Sequence, residues 1–119
     1  MKTILILFMT LLCVNSYFAQ TSPSSHDWIL CDGKGNPVKS SGQNFYIVFR
    51  SSKIEMYCGK DLNTAKSNGA QKTGTYGYDR YFIWWTWSNG EESGNWTIDN
   101  NLISSQDGKA MMRDVTLFK

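Results

Sequence analysis

Apolar positions along the chain follow two regimes. Residues 4–14 (ILILFMTLLCV) form a nearly unbroken apolar run in which Thr10 is the only polar residue. From residue 26 onward the apolar residues come in short runs, many alternating with polar neighbours, and turn residues separate them. The runs fall at 26–31, 43–50, 53–58, 72–78, 81–87, 92–98, 101–105 and 109–118. They are rich in aromatic and β-branched residues, the signature of strands. The turns between them carry Gly, Asn, Asp and Pro. Residues 32–36 (DGKGN) before Pro37 read as a loop, and Ser88-Asn89-Gly90 and Asp107-Gly108 as hairpin turns.

The pattern predicts about eight antiparallel strands with no convincing helix. Residues 61–66 could close one helical turn, but they carry no apolar stripe. Regular short strands with tight turns predict an all-β meander closed as an up-and-down barrel, with a β-sandwich as the alternative. Closure is favoured because it removes the exposed edges of strands as apolar as 43–50. The length of 119 residues allows one domain, placed at 26–119.

The first regime changes that picture. Met1-Lys2 followed by an apolar run too short to span a bilayer reads as a signal peptide over residues 1–19. Ala19 and Ser16 are both small enough to precede a cleavage. Ala19 is preferred because residues 18–20 (FAQ) resemble an ending common on exported proteins of Bacteroidetes bacteria. Residues 20–25 would follow as a flexible polar leader. The expected location is therefore periplasmic or extracellular, with no membrane span. Losing residues 1–19 removes one base and no acid, so the formal charge falls from +2 to +1. That excludes an electrostatic footprint for nucleic acid.

Export also bears on the cysteines. Removing Cys13 with the leader leaves Cys31 and Cys58, and an even pair in an exported chain predicts a disulfide. In a simple meander they sit two strands apart, ~10 Å at the usual strand spacing. The Cα limit for a bridge is ~7 Å. A bond therefore requires curled loops or another strand order.

The aromatic run 81–87 (YFIWWTW) is the most unusual feature. Alternation puts Tyr81, Ile83, Trp85 and Trp87 on one face and Phe82, Trp84 and Thr86 on the other. Trp96, on the returning strand, is expected beside Phe82 or Ile83. Candidate catalytic groups are sparse. His26 is the only histidine, and no spacing ties it to a nucleophile. Glu91 and Glu92 are neighbours that point apart on a strand. Asp99, Asp107 and Asp114 lack calcium-loop spacing, and Gly33-Lys34-Gly35 lacks the ending of a phosphate loop. The chain is read as non-enzymatic, monomeric, and without a metal or cofactor.

Several segments together support a family likeness: residues 27–30 (DWIL), 44–49 (NFYIVF), 73–76 (TGTY), 96–98 (WTI) and 115–119 (VTLFK). They resemble the small exported lipocalin-like proteins of Bacteroidetes, within the calycin group. The resemblance implies an eight-stranded barrel that holds a small apolar molecule. The expected function is uptake of a small apolar or aromatic ligand at the barrel mouth, lined by Tyr46, Trp84, Trp85, Trp87 and Trp96. An eight-stranded barrel can instead be filled by its own side chains. The alternative is therefore a protein–protein or carbohydrate interaction module with exposed aromatics.

Overall fold

The computed structural model describes residues 22–99 and 101–118. The expected signal peptide lies outside the described residues. The strands are β1 (Asp27–Asp32), β2 (Lys39–Ser40), β3 (Gln43–Arg50), β4 (Lys53–Gly59) and β5 (Lys72–Tyr78). β6 (Phe82–Trp87), β7 (Trp96–Asp99), β8 (Leu102–Ser105) and β9 (Ala110–Asp114) complete the set. All pairings are antiparallel, and β3 to β9 pair in chain order. β1 closes the circle by pairing with β9 on one edge and β3 on the other. The result is a closed eight-stranded barrel, as the alternation predicts, with β2 as one extra strand. β2 shares an edge of β3 with β1: Lys39 and Ser40 take the Gln43 end, and β1 takes Tyr46 to Val48.

The wall has two apolar sides. Inward positions from seven of the eight barrel strands meet in one cluster: Trp28, Ile47, Phe49, Ile54, Ile83, Trp85, Ile98, Ile103 and Met112 are all buried. Tyr76 joins from β5, its ring 4.7 Å from that of Phe49. Each such side chain contributes about 1.5–3 kcal/mol by leaving water. A second cluster lies on the outer side of β1, β3 and β4, where Ile29, Tyr46, Val48 and Tyr57 are also buried. This explains why β3 is apolar at successive positions. Both of its faces are covered.

The outer cover includes a helix the sequence reading did not predict with confidence: α1 (Leu62–Ser67). Asp61 caps it, accepting from the Thr64 N–H at 2.7 Å. Leu62 and Ala65, three residues apart, share one face and join the outer cluster. Two positions suffice for so short a helix, too few to register as a stripe. Gly59 permits the contact, because a Cβ there would lie 2.7 Å from the Ala65 Cα.

Strand ends also depart from expectation where side chains intercept the ladder. The run 92–98 is regular only from Trp96, since the Ser93 hydroxyl accepts from the Trp85 N–H at 2.8 Å. The run 109–118 stops at Asp114, whose Oδ1 accepts from both the N–H and the hydroxyl of Thr116 at 2.9 Å. Val115–Phe118 then curls into a 3-10 turn. At the start, Pro23–Ser25 forms another 3-10 turn, and the Trp28 indole donates to the Pro23 carbonyl at 2.9 Å. The Ser41-Gly42 turn joins β2 to β3 with φ of 53° and 78°. Positive φ at both central residues matches the twist of paired strands.

The expected disulfide is absent: Cys31 and Cys58 are both free and buried. They stand on β1 and β4 with β3 between them. They also point to opposite sides of the wall. Cys31 packs with the outer cluster, whereas Cys58 alternates in phase with Ile54 and Met56, which face inward. The compartment argument took no account of which face each thiol occupies. Among the described residues, no helix is long and apolar enough to cross a membrane.

Candidate functional site

The five aromatic candidates do not converge on one mouth. Trp85, Trp87 and Trp96 point inward, with Trp85 and Trp96 ring centroids 5.0 Å apart. Trp96 pairs with Ile83 across the β6–β7 ladder, as expected. These rings belong to the packed interior. Tyr46 and Trp84 point outward on different strands: Tyr46 is buried in the outer cluster, and Trp84 is 39% exposed. The alternation holds over 82–87, while Tyr81 precedes the strand and is exposed; the two faces of β6 serve separate purposes.

A concavity of about 790 Å³ lies outside the barrel. Its walls are the outer side of β1 and β3, the loop leading into α1, and the C-terminal 3-10 turn. Ile29, Leu62 and Val115 supply apolar surface. Its size fits the usual range of small-molecule sites. Fold and sequence meet here. Asp114 curls the chain end over the groove, and Asp61 fixes the helix on its other side.

The polar groups of the groove are partly organised in advance. His26, at the start of β1, donates from Nδ1 to Asp114 Oδ2 at 2.7 Å. Its ring packs edge-on against Trp28 with centroids 5.6 Å apart. With Nδ1 so engaged, Nε2 is the ring's remaining polar atom. Asp114 is only 7% exposed. Burial alone would raise its pKa. The two Thr116 hydrogen bonds and the His26 ring outweigh burial and hold the carboxyl below the ordinary value. The carboxylate thus stays ionised and orients the imidazole.

No protein-family model, curated protein or solved structure matches this chain. The site therefore has to be judged on its own chemistry.

One further atom marks the groove. Asn44 donates from Nδ2 to the Tyr46 hydroxyl at 3.2 Å, while its buried Oδ1 has no partner among the described residues. Turning the amide over would pair Oδ1 with the Tyr46 hydroxyl and strand Nδ2 instead. Either way one buried polar atom is left unpaired, which costs ~1–3 kcal/mol. Lys39 and Lys60 also line the groove, and Asp27 reaches Lys66 at 4.0 Å. The arrangement can hold a small molecule with an apolar body and hydrogen-bonding ends.

The sequence sets His26 and Asp114 aside as isolated candidates and gives no sign of Asn44. Asp114 lies 88 positions from His26, and nothing local pairs them. The available signal was Asp114-Val115-Thr116, an Asp two residues before a Thr at the end of a strand run. That spacing favours a side-chain turn.

Proposed function

We propose that the protein is an exported, non-enzymatic binding module of lipocalin-like architecture that takes its small ligand on the outer wall of the barrel. The ligand sits in the groove between β1, α1 and the C-terminal turn. The observation that carries this reading is a concavity of about 790 Å³ lined by Asn44, whose buried amide keeps one atom unpaired. A small turn of the Asn44 amide toward the groove would let a ligand pair with that atom and relieve a standing cost. The His26 ring, oriented by Asp114, offers a second contact through Nε2. The closed eight-stranded barrel supports the lipocalin-like resemblance as an architecture. The packed interior favours the outer groove over the barrel mouth, because Trp85, Trp87 and Trp96 already take part in the core.

Amide NMR spectra titrated with a panel of probes test the proposal. Suitable probes are a medium-chain fatty acid, an aromatic carboxylate, an aromatic amine and a monosaccharide. At least one probe is expected to shift resonances of Asn44, Tyr46, Leu62 and Val115. Shifts centred on Trp85, Trp87 and Trp96 would return the site to the barrel mouth. Silence from the whole panel would count against both placements.

A further inference from the structure

The opposite side of the barrel carries an aromatic ring that the groove does not use. Trp84 on β6 pairs across the ladder with Gly77 on β5. A Cβ at Gly77 would lie 2.9 Å from the indole Nε1 and 3.0 Å from both Cε2 and Cζ2. Three ring atoms at nearly equal distance mean that the indole lies over the Gly77 backbone. A Trp covering a cross-strand glycine stabilises a sheet. The contact also holds the Nε1 edge of the ring against the wall, and Trp84 stays 39% exposed. Exposed aromatics usually keep their rotamer freedom, but this one has lost much of it before any ligand arrives.

The surroundings narrow the choice of ligand. Outward positions beside Trp84 on β6 are Phe82 and Thr86. Thr75 stands opposite Thr86, and Thr97 stands opposite Phe82. Glu92 bridges to Thr86 from the other side. The plate is thus one aromatic ring wide, rimmed by hydroxyls, with a carboxylate able to accept from a ligand hydroxyl. A protein partner buries about 800 Å² on each side around a cluster of anchors. Trp84 and the half-buried Phe82 among threonines offer far less. A cation-rich ligand would need more than one acid at the rim.

We infer that Trp84, held against Gly77, is a stacking platform for a neutral sugar ring. The polarised C–H groups on one face of a pyranose meet the electron-rich face of the indole. The ring hydroxyls at its edge then reach Thr75, Thr86 and Glu92. The site is independent of the groove. Three strands of wall separate β6 from β1 in either direction.

The test is affinity electrophoresis of the protein through gels containing soluble glucan, xylan or glycol chitin, paired with NMR of the indole N–H signals. At least one polysaccharide is expected to retard the wild type, and its oligosaccharide should shift the Trp84 indole signal most. Trp84→Ala should weaken binding by about tenfold or more, the scale of one lost aromatic contact. Trp84→Phe should keep part of it. Gly77→Ala should weaken it by lifting the ring, and Tyr81→Ala, at an exposed ring elsewhere, should leave it intact. Circular dichroism checks the fold of each variant. If a variant unfolds, the wild-type indole titration still decides. No retardation by any polysaccharide would overturn the inference, as would binding that survives Trp84→Ala or indole shifts confined to other tryptophans.

Discussion

Ile83→Ala tests whether the barrel is a packed scaffold or a container. Ile83 is 0% exposed and sits in β6 between Tyr78 on β5 and Trp96 on β7. The substitution removes three carbon groups, worth about 2.4 kcal/mol at ~0.8 kcal/mol each. Neighbours drawn from a closed ring of strands cannot collapse freely into the space. A residual void of about 50 Å³ adds about 1.2 kcal/mol at ~24 cal/mol per Å³. The expected loss is therefore about 3.5 kcal/mol, within the ~2–5 kcal/mol measured for such truncations. For a domain of this size that lowers Tm by roughly 15–25 °C. Guanidinium unfolding followed by tryptophan fluorescence reads the free energy, and an unchanged slope would show that the unfolded state is unaltered. Ile83→Val should cost only ~0.5–1.5 kcal/mol. A loss below about 1.5 kcal/mol for Ile83→Ala would refute the reasoning, because it would mean the side chain already faces empty space.

Other expectations follow from the outer wall. Asp114 has a carboxyl held below the unfolded value of ~3.9, so its contribution is present above that pH and lost as pH falls through the folded value. Asp114→Asn should therefore flatten the acid limb of the stability–pH curve below pH ~4, measured by thermal melts; an unchanged acid limb would refute the assignment. Asn44→Leu combined with Tyr46→Phe should be neutral or stabilising in denaturant melts, since together they remove the unpaired buried atom and its hydrogen-bonded neighbour, while abolishing binding of any groove probe. Gly59→Ala should cost about 1–3 kcal/mol by forcing α1 off the wall; a change under 0.5 kcal/mol would show that the helix yields without strain. A reductant should leave the unfolding midpoint unchanged, because Cys31 and Cys58 form no bridge, and a lowered midpoint would reveal one.

Much of the fold is legible because its main signal has a period of two. The strand runs, the hairpin turns and the inward set of β6 all follow from alternation, which is local. What escaped depends on contacts between distant segments. The strand 43–50 looked unusually apolar, yet only its position under α1 explains why Tyr46 and Val48 need cover. The cysteine pair was weighed by compartment and strand count, while the deciding fact was that the two side chains lie on opposite sides of one sheet. The aromatic candidates were grouped by residue type. Alternation had already separated Trp84 from Trp85, and that separation divides the scaffold from the surface. The groove was invisible because its parts come from residues 26, 44, 61 and 114, each ordinary in its own neighbourhood.

The placement of the two thiols makes the wall its own instrument. Cys31 reports on the outer layer and Cys58 on the inner one, from two strands with β3 between them. Burial raises the Cys31 pKa, so little thiolate forms there until the outer cover lifts. An alkylating reagent would therefore run two clocks in one molecule. If the α1 cover peels away before the barrel opens, Cys31 reacts while Cys58 stays protected. If the wall gives way as a unit, both react at one rate. The order in which this fold comes apart is written in the labelling of two residues that never meet.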